Sequence, residues 1–358
     1  MKLLTIILIL SILVSEAFAQ ERKEFYVGIR GLGMGGAQIA TVNDETALLV
    51  NPAGLGKLRN YFLTVADPEL HLGSETQAII GADIMAPLDP QEVLGLLSQA
   101  TNQDKRLHAK VQIFPSAVFP NFGLGLFANY TTDASYDTTT DQMSFSYRSD
   151  LAAVFGFNFR MWSGRIKLGF NVRVMNRNEI ERDDIASTAT DLTIENLASE
   201  GVGIGSDVGL IISMPWKLIP TLSAVYRDVG NTRYTIRDGI VNGISTPPSV
   251  TEGTLDAAIA LFPIMGKRTR VSFSTEVRDV LTLSDEDDIN RRIHAGIEFN
   301  IRDALFIRAG MNQNYWTAGL ELAVANYQLQ FATYGEEVGT ATSTLESRRY
   351  VGKFAYRF

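Results

Sequence analysis

The sequence has no cysteine in its 358 residues, only three histidines, and a single long apolar run, at its N-terminus. Without cysteine there is no disulfide framework, no thiolate metal site and no lipid-modified N-terminal cysteine. A helical membrane protein needs several runs of about 20 apolar residues, which this chain lacks. The net charge of −8 argues against nucleic-acid binding, and a mean hydropathy of +0.04 excludes a disordered chain. A large globular protein and a β-barrel remain.

The N-terminal run has the composition of a cleaved export signal. Lys2 precedes an apolar stretch from Leu3 to Val14, and Ala17-Phe18-Ala19 forms a small-x-small cleavage site. A transmembrane anchor is the alternative, but the stretch is too short for one and Glu16 ends it. We therefore predict that residues 1–19 are a cleaved signal peptide, and that the mature chain reaches the cell outer membrane of a Gram-negative envelope. Only a β-barrel could make the rest of this chain integral to a membrane.

From about residue 61 to the end, apolar and polar residues alternate. In Ile166–Met175 the even positions are apolar, and the odd positions are mostly polar residues or glycine; Ile293–Arg302 and Arg270–Arg278 repeat the pattern. Such alternation predicts strands with one apolar and one polar face. One amphipathic helix is predicted at Asp89–Ala100. Eleven further strands are predicted near 74–86, 106–115, 121–131, 144–160, 203–214, 219–230, 254–263, 304–312, 315–325, 327–335 and 348–358, making about 14. Tyr61–Glu69 is either one more strand or part of the preceding segment.

The connections between these strands alternate in length. Four are short turns: Trp162–Arg165, Pro215–Ile219, Met265–Lys267 and Arg302-Asp303. Between them lie five longer polar stretches: Thr132–Asp141, Glu179–Glu200, Asn231–Thr251, Leu281–Asn290 and Gly335–Ser347. Short periplasmic turns and longer external loops produce this rhythm in outer-membrane barrels.

The chain ends on a strand with an aromatic last residue. Phe354, Tyr356 and Phe358 share one face of it, and this ending resembles the C-terminal signal by which outer-membrane barrels are recognised by the assembly machinery. About 14 long strands also exceed what one soluble sandwich usually holds. We therefore predict an all-β fold, a membrane-spanning antiparallel β-barrel of about 14 strands with a short N-terminal helical hatch. A soluble secreted β protein is the alternative.

Residues 20–60 are rich in glycine and lack strand alternation. The glycines at 31, 33, 35 and 36 have neither the strand–loop–helix setting of a dinucleotide site nor the Gly-Lys-Ser/Thr of a P-loop. Asn43–Thr46 has the composition of a helix cap leading into Ala47–Val50, and Asn51–Gly54 ends that helix. We predict an N-terminal hatch over 20–60 and a barrel over 61–358.

A glycine-rich segment, a short helix and an Asn-Pro turn placed before a barrel resemble the hatch of the FadL family. That family comprises outer-membrane transporters of long-chain fatty acids and aromatic hydrocarbons; PorV-type relatives, which serve a secretion system, share the signature. The matching run is Gly33–Ala37, Ala40, Asp44, Ala47 and Asn51–Leu55. The resemblance implies that a hydrophobic solute enters the barrel from outside and leaves sideways through an opening in the wall near the hatch.

The resemblance also implies a set of hatch or gate residues, which are Gly31, Gly33, Gly35, Gly36, Asn51, Pro52 and Gly54. A static plug built from the same residues is the alternative. The chain departs from typical fatty acid transporters in its shorter, polar external loops, Glu179–Glu200 and Asn231–Thr251. A non-transporting partner or shuttle barrel of PorV type is therefore kept as the alternative function.

The remaining features have simpler explanations. Arg-Asp recurs at 227–228, 278–279 and 302–303, which suits turn chemistry with local ion pairs better than a selectivity ring. The acidic run Asp285–Asp288 fits a solvated loop better than a cation site. None of the histidines, at 71, 108 and 294, has metal-ligand spacing. We predict no enzyme activity, no metal, no cofactor and no nucleic-acid partner; the expected partners are outer-membrane lipid, a hydrophobic small molecule and the barrel assembly machinery.

Overall fold

The computed structural model describes residues 24–358 except 82, 84, 264, 267, 282–288 and 340–342. The predicted signal peptide at 1–19 and the acidic run Asp285–Asp288 lie outside the described residues.

In the described part of the chain, seventeen strands form one sheet. They are Phe62–Ala66 (β1), Glu69–Gly73 (β2), Arg106–Ile113 (β3), Ser116–Phe119 (β4), Phe122–Asp137 (β5), Gln142–Met161 (β6), Ile166–Ala186 (β7), Ser199–Ser213 (β8), Thr221–Arg227 (β9), Arg237–Asp238 (β10), Thr254–Leu261 (β11), Thr269–Val277 (β12), Ile293–Ile301 (β13), Leu305–Asn312 (β14), Tyr315–Val324 (β15), Tyr327–Glu337 (β16) and Glu346–Arg357 (β17).

The sheet closes on itself because the last strand pairs with the first two. β17 is antiparallel to β1 and to β2, and every other neighbouring pair is antiparallel as well. β1 and β2 form one wall strand with a break, as do β3 and β4, and the two-residue β10 only extends a connection over β8. Seventeen described strands therefore make a closed barrel of fourteen, which confirms the predicted fold class.

The apolar face of the wall points outward. Leu124, Phe155 and Phe273 lie about half exposed on the outer surface, whereas Arg173 and Glu276 are buried in the lumen. A soluble barrel would have the opposite arrangement, because its apolar face would fill the interior. The outward apolar face is the arrangement of a barrel that meets lipid.

The first wall strand differs from the predicted one. We predicted a strand near 74–86, but Thr76–Ile80 is a helix (α3), and Phe62–Gly73 supplies the wall strand. Ile79 and Ile80 are consecutive rather than alternating, so both are buried on one side of a helix, which ends at Gly81 with φ +60°. Tyr61–Glu69 was predicted to be either a further strand or part of the preceding segment. Most of it is strand and belongs to the wall.

Several strands run further than their alternation suggested. β5 continues to Asp137 and β7 to Ala186, so the predicted loops Thr132–Asp141 and Glu179–Glu200 are partly strand. Their ends rise into an external lobe, where the helix Pro90–Leu97 (α4) covers them. The predicted helix at Asp89–Ala100 is thereby confirmed, with Asp89 as its N-cap. The lobe encloses an apolar cluster that includes Ile79, Val93, Leu97, Tyr136, Phe145, Ile180 and Ile185.

The remaining helices are short. Ile29–Gly33 (α1) and Ala47–Val50 (α2) lie inside the barrel, Ile194–Leu197 (α5) lies in an external connection, and Pro52–Lys57 is a 3₁₀ helix inside the barrel. Further 3₁₀ turns are Ala86–Leu88, Trp162–Gly164 and Ile289–Arg292. Among the described residues, no helix is both long enough and apolar enough to cross a membrane.

Candidate functional site

The segment from residue 24 to 60 lies in the lumen, where its two halves contact opposite parts of the wall. α1 packs against β14–β17, and the 3₁₀ helix Pro52–Lys57 packs against β6–β8. A turn at Gly35 and Gly36 follows α1, with φ values of +66° and +87° that favour glycine. The predicted helix Ala47–Val50 and its termination at Asn51-Pro52 are both present. We call residues 24–60 the hatch.

The Asn51 side chain forms hydrogen bonds within the hatch and to the wall. Its side-chain oxygen accepts a hydrogen bond from the Ala53 amide at 3.0 Å, which caps the 3₁₀ helix. Its side-chain nitrogen donates to the Ile39 carbonyl at 2.9 Å and to the Ser223 hydroxyl of β9 at 2.8 Å. Asn51 is fully buried, so losing these bonds would leave polar groups unsatisfied at a cost of about 1–3 kcal/mol each.

The hatch backbone packs closely against paired glycines of the wall. Gly169 of β7 and Gly209 of β8 are cross-strand partners, and a Cβ on either would collide with the Asn51–Ala53 turn. On the opposite part of the wall, Gly296 and Gly310 are partners, and a Cβ there would collide with the Met34 backbone. The alternation placed Gly169 and Gly296 on the polar face of their strands. A glycine inside a strand signals close backbone approach, but the approaching segment could not be identified from sequence.

Charged wall residues hold the hatch as well. The carboxylate of Glu276 accepts hydrogen bonds from the backbone amides of Gln38 and Ile39 at 2.8 and 3.0 Å. The Arg278 guanidinium donates to the Gly36 carbonyl at 3.0 Å, and the His294 ring lies 2.9 Å from the Gly35 carbonyl. Polar side chains of the wall that project into the lumen therefore fix the hatch turn.

Arg30 of the hatch joins a network of buried ions. It contacts Glu298 at 2.8 Å and Asp44 at 3.0 Å, and Glu298 also accepts from Arg308 at 2.7 Å. Arg308 in turn pairs with Glu321. Charge pairs with this burial are stable only while both partners remain in place, because removing one leaves an uncompensated charge.

The predicted gate residues thus fall into two groups that the structure does not bring together. Gly31, Gly33, Gly35 and Gly36 belong to the part of the hatch held by β13–β15, where Gly33 approaches Gly319 of the wall. The other group is held by β7–β9 and consists of Asn51, Pro52 and Gly54.

Titratable groups of the hatch are shifted by their surroundings. Burial raises the pKa of Glu45, and the neighbouring negative charge of Asp44 raises it further. Burial lowers the pKa of Lys57 to about 7, assisted by the positive charges of Arg30 and Lys167. Lys57 donates to the Ala40 carbonyl at 2.6 Å. Burial therefore disfavours the charged forms of both Glu45 and Lys57.

The wall is interrupted beside the hatch. Pairing of β1 with β4 ends at Thr64–Ser116 and resumes between β2 and β3 at Glu69–Gln112, with Pro68 and Pro115 in the gap. Proline has no amide hydrogen to donate to a ladder, so it favours such a break. The carboxylate of Asp67 bridges the gap by accepting from the Phe114 amide at 2.5 Å. We call this gap the wall interruption.

Aromatic side chains line the interior side of the wall interruption. Phe114 lies 6.1 Å from Tyr26 of the hatch and 6.4 Å from Phe127, measured between ring centroids, and Phe25 lies 4.9 Å from Phe127. Lys353 of β17 binds Asp67 at 2.9 Å. Sequence reasoning missed this site, although the two prolines within otherwise extended segments were a usable signal.

The turns at 162–165, 215–219 and 302–303 lie at one end of the barrel, which we call the short-turn end. A cavity of about 300 Å³ separates the hatch from the wall at this end. Its lining combines ionic groups with a few aromatic side chains and includes Tyr26, Arg30, Asp44, Glu298, Lys353 and Arg357. The cavity lining is therefore mixed in character, whereas the interior side of the wall interruption is lined by aromatic side chains.

The Arg-Asp repeats are only partly explained by turns. Asp228, Asp279 and Asp303 all have φ near +50°, as turn residues do. Two of the arginines bind carboxylates other than the following aspartate: Arg227 binds Asp256 of β11 at 2.7 Å, and Arg278 binds Glu24 at 2.7 Å and Glu276 at 3.4 Å. An ion pair between the adjacent Arg and Asp is therefore wrong at 227–228 and 278–279, because other carboxylates lie within reach of each guanidinium.

Phe354 lies on the outer face of β17, 41% exposed, and Phe358, 51% exposed, follows the end of that strand. Tyr356 lies beside Phe358 with 5.0 Å between ring centroids. Recognition of these residues by the assembly machinery stays a prediction.

The histidines are buried in the lumen. His71 contacts Glu69 and His108 contacts Asp133, both at 2.8 Å. No group of three or more His, Cys, Asp or Glu among the described residues is arranged to hold a metal ion.

The barrel shares its fold with solved structures. The toluene transporter TodX of Pseudomonas putida matches with a TM-score of 0.54 and 14% identity, over 92% of this chain and 97% of that one. The toluene transporter TbuX of Ralstonia pickettii gives 0.51 and 14%, over 93% and 98%. A Pseudomonas aeruginosa FadL homologue gives 0.50 and 10%, over 95% and 98%. No protein-family model and no curated protein sequence matches. The predicted resemblance to FadL-type proteins is confirmed at the level of the fold.

Proposed function

We propose that this chain is an outer-membrane barrel that passes small hydrophobic molecules across the membrane. The solved structures of the same fold include toluene transporters and a FadL homologue, so the proposed solute is a fatty-acid-like or aromatic compound. Neighbours of this kind also support a role in transport rather than catalysis.

The wall interruption is the observation that carries this proposal. The hatch occupies the lumen and packs its apolar side chains against the wall, which obstructs passage along the barrel axis. The interruption, in contrast, combines a broken ladder with aromatic side chains directly behind it. We infer that the solute leaves the barrel sideways at this point, when the bond between Asp67 and the Phe114 amide breaks.

We further propose that the hatch closes the lumen to water and ions, with Gly31, Gly33, Gly35, Gly36, Asn51, Pro52 and Gly54 as its structural elements. Its bonds to Glu276, Arg278 and Ser223 support a closed state of defined geometry. A plug that never moves would use the same bonds.

A disulfide beside the wall interruption tests the lateral path. The natural chain has no cysteine, so a double variant carries one defined bridge. Thr64 and Ser116 are cross-strand partners at the rim of the gap, both buried toward the lumen. We expect oxidised T64C/S116C to take up a fluorescent fatty acid or an aromatic hydrocarbon several-fold more slowly in vesicles, and reduction to restore the rate.

Ser213 and Thr221 provide the matched control, because they are a Ser/Thr cross-strand pair in an unbroken part of the wall. Oxidised S213C/T221C should transport like the unmodified chain. Equal rates for the two oxidised variants would contradict the lateral path.

The filled lumen favours a second candidate, a non-transporting partner or shuttle barrel of PorV type. That function requires no solute movement. Uptake indistinguishable from that of protein-free vesicles, with a correctly folded barrel, would favour it.

A further inference from the structure

The wall interruption is bordered by two cross-strand pairs whose side chains carry unpartnered polar atoms. Thr64 pairs with Ser116 at one edge of the gap. Glu69 pairs with Gln112 at the other edge, and all four side chains are at most 5% exposed. Among the described residues, neither hydroxyl has a hydrogen-bond partner, and the same holds for Oε1 of Gln112 and Oε2 of Glu69. Buried polar atoms nearly always have a partner, so four of them at one gap indicate a binding site.

The hatch adds a fifth atom of this kind. The buried hydroxyl of Tyr26 has no hydrogen-bond partner among the described residues, and it lies within electrostatic range of Lys353. The amide nitrogen of Gln112 donates to the Val27 carbonyl at 3.4 Å, so hatch and wall meet at the gap. We call the five residues that carry these atoms the gap site; they are Tyr26, Thr64, Glu69, Gln112 and Ser116.

The cavity between hatch and wall reaches the gap site from inside the barrel. Tyr26, Phe62 of β1 and Lys353 all belong to its lining, and its volume is about 300 Å³. A cavity of about 150 Å³ is large enough to hold benzene. A molecule with one aromatic ring therefore fits beside the gap site, in contact with the rings of Tyr26 and Phe62.

The gap site accepts more hydrogen bonds than it donates. Its three hydroxyl groups can do either, whereas the unpartnered oxygens of Glu69 and Gln112 only accept. None of the five atoms bonds to another, so the hydroxyl groups do not satisfy these two acceptors. A ligand with an O–H donor supplies what the site lacks, whereas a purely apolar ligand leaves all five atoms unpartnered.

The charges at the gap site disfavour an anionic ligand. Lys353 lies 2.9 Å from Asp67 and 3.7 Å from Glu69, so one ammonium group is shared by two carboxylates. A carboxylate ligand would add a third negative charge and bring no donor, and repulsion between charges is strong where water is excluded. An uncharged hydroxyl group avoids both penalties.

We propose that the gap site binds the hydroxyl group of a neutral hydroxylated aromatic compound, whose ring occupies the adjoining cavity. The hydroxyl donates to Glu69 or Gln112 and accepts from one of the three hydroxyl groups of the site. This inference rests on the proposed function, because the site lies on the lateral path. It narrows the solute from fatty-acid-like or aromatic compounds to phenolic ones.

A pair of probes of nearly equal shape tests the proposal. 4-Fluorophenol carries a hydroxyl where 4-fluorotoluene carries a methyl group, and fluorine NMR reports the binding of both. The folded barrel would be titrated in detergent micelles, with partition into empty micelles subtracted. We expect saturable binding that favours 4-fluorophenol by about twofold to tenfold for each hydrogen bond formed. 4-Fluorobenzoate should bind more weakly than 4-fluorophenol.

Two variants remove hydroxyl groups from the gap site. T64V/S116A removes both from the wall, and Y26F removes the one from the hatch while keeping the ring. Each should lower the ratio of the two affinities by about twofold to tenfold. S213A/T221V is the matched control, because it removes the same two kinds of hydroxyl from a cross-strand pair in an unbroken part of the wall. Heat-modifiable gel mobility would report folding of each variant.

Equal affinity of the unmodified chain for both probes would overturn the proposal, because the polar atoms would then serve no ligand hydroxyl. The absence of saturable binding would overturn it too, as would a ratio that T64V/S116A and Y26F leave unchanged or that S213A/T221V lowers equally. Both gap-site variants should still take up 4-fluorotoluene. Failure of the gap site therefore leaves that uptake intact, whereas failure of the proposed function abolishes uptake of both neutral probes and leaves the binding ratio.

Discussion

Gly169→Ala should loosen the hatch without unfolding the barrel. An alanine Cβ at this position would overlap the backbone of Pro52 and Ala53, which cannot move aside as a flexible side chain can. Overpacking of this kind costs about 1–3 kcal/mol. Replacing glycine by alanine within a strand returns about 0.5–1 kcal/mol. The net penalty falls on docking of the hatch, because β7 is held by long ladders to β6 and β8.

A net penalty of about 1.4 kcal/mol would raise the population of displaced hatch about tenfold. A displaced hatch opens a polar lumen, so we expect more frequent ion-conducting events in planar bilayers and faster proteolysis near residue 51 in the folded barrel. Gly352→Ala is the control, because its Cβ would meet only two ring atoms of Phe331, both at 3.9 Å. If G169A conducted and resisted protease like G352A, close approach of the hatch to β7 would be refuted.

Two further predictions concern the hatch turn and the C-terminus. N51A/P52A should alter hydrophobic-solute uptake several-fold, because Asn51 loses its bonds to Ile39 and Ser223; unchanged uptake with a normally folded barrel would leave the static plug as the better explanation. Phe358→Ala should lower the yield of heat-modifiable barrel in the outer membrane, whereas Phe331→Ala, which also removes an outward aromatic side chain, should assemble normally. Equal yields would argue against an assembly signal at the last residue.

The wall was largely predictable because strand alternation is local. Ile166–Met175 lies within β7, Ile293–Arg302 extends one residue past the end of β13, and the four predicted short turns connect strands at one end of the barrel. The prediction failed at 74–86, where two adjacent isoleucines are buried by a helix of the external lobe. Burial there depends on side chains of α4 and of distant strand ends, which no local period reveals.

The hatch was predictable as a motif but not as a set of contacts. The sequence by itself determined a helix ending at Asn51-Pro52, a glycine-rich segment before that helix and a wall whose residues alternate between two faces. Only the tertiary structure decided that the apolar face points outward, that Gly169 and Gly209 receive the Asn-Pro turn, and that Arg227 pairs with Asp256. The first could not be decided from sequence because alternation has the same period whichever face meets lipid. The contacts of Gly169 with Pro52 and of Gly209 with Asn51 join residues more than a hundred positions apart in the chain, so no local pattern reveals them. Cysteine, absent from the whole sequence, is needed neither to close this wall nor to hold its hatch: the β17 pairings with β1 and β2 close the barrel, and buried hydrogen bonds hold the hatch.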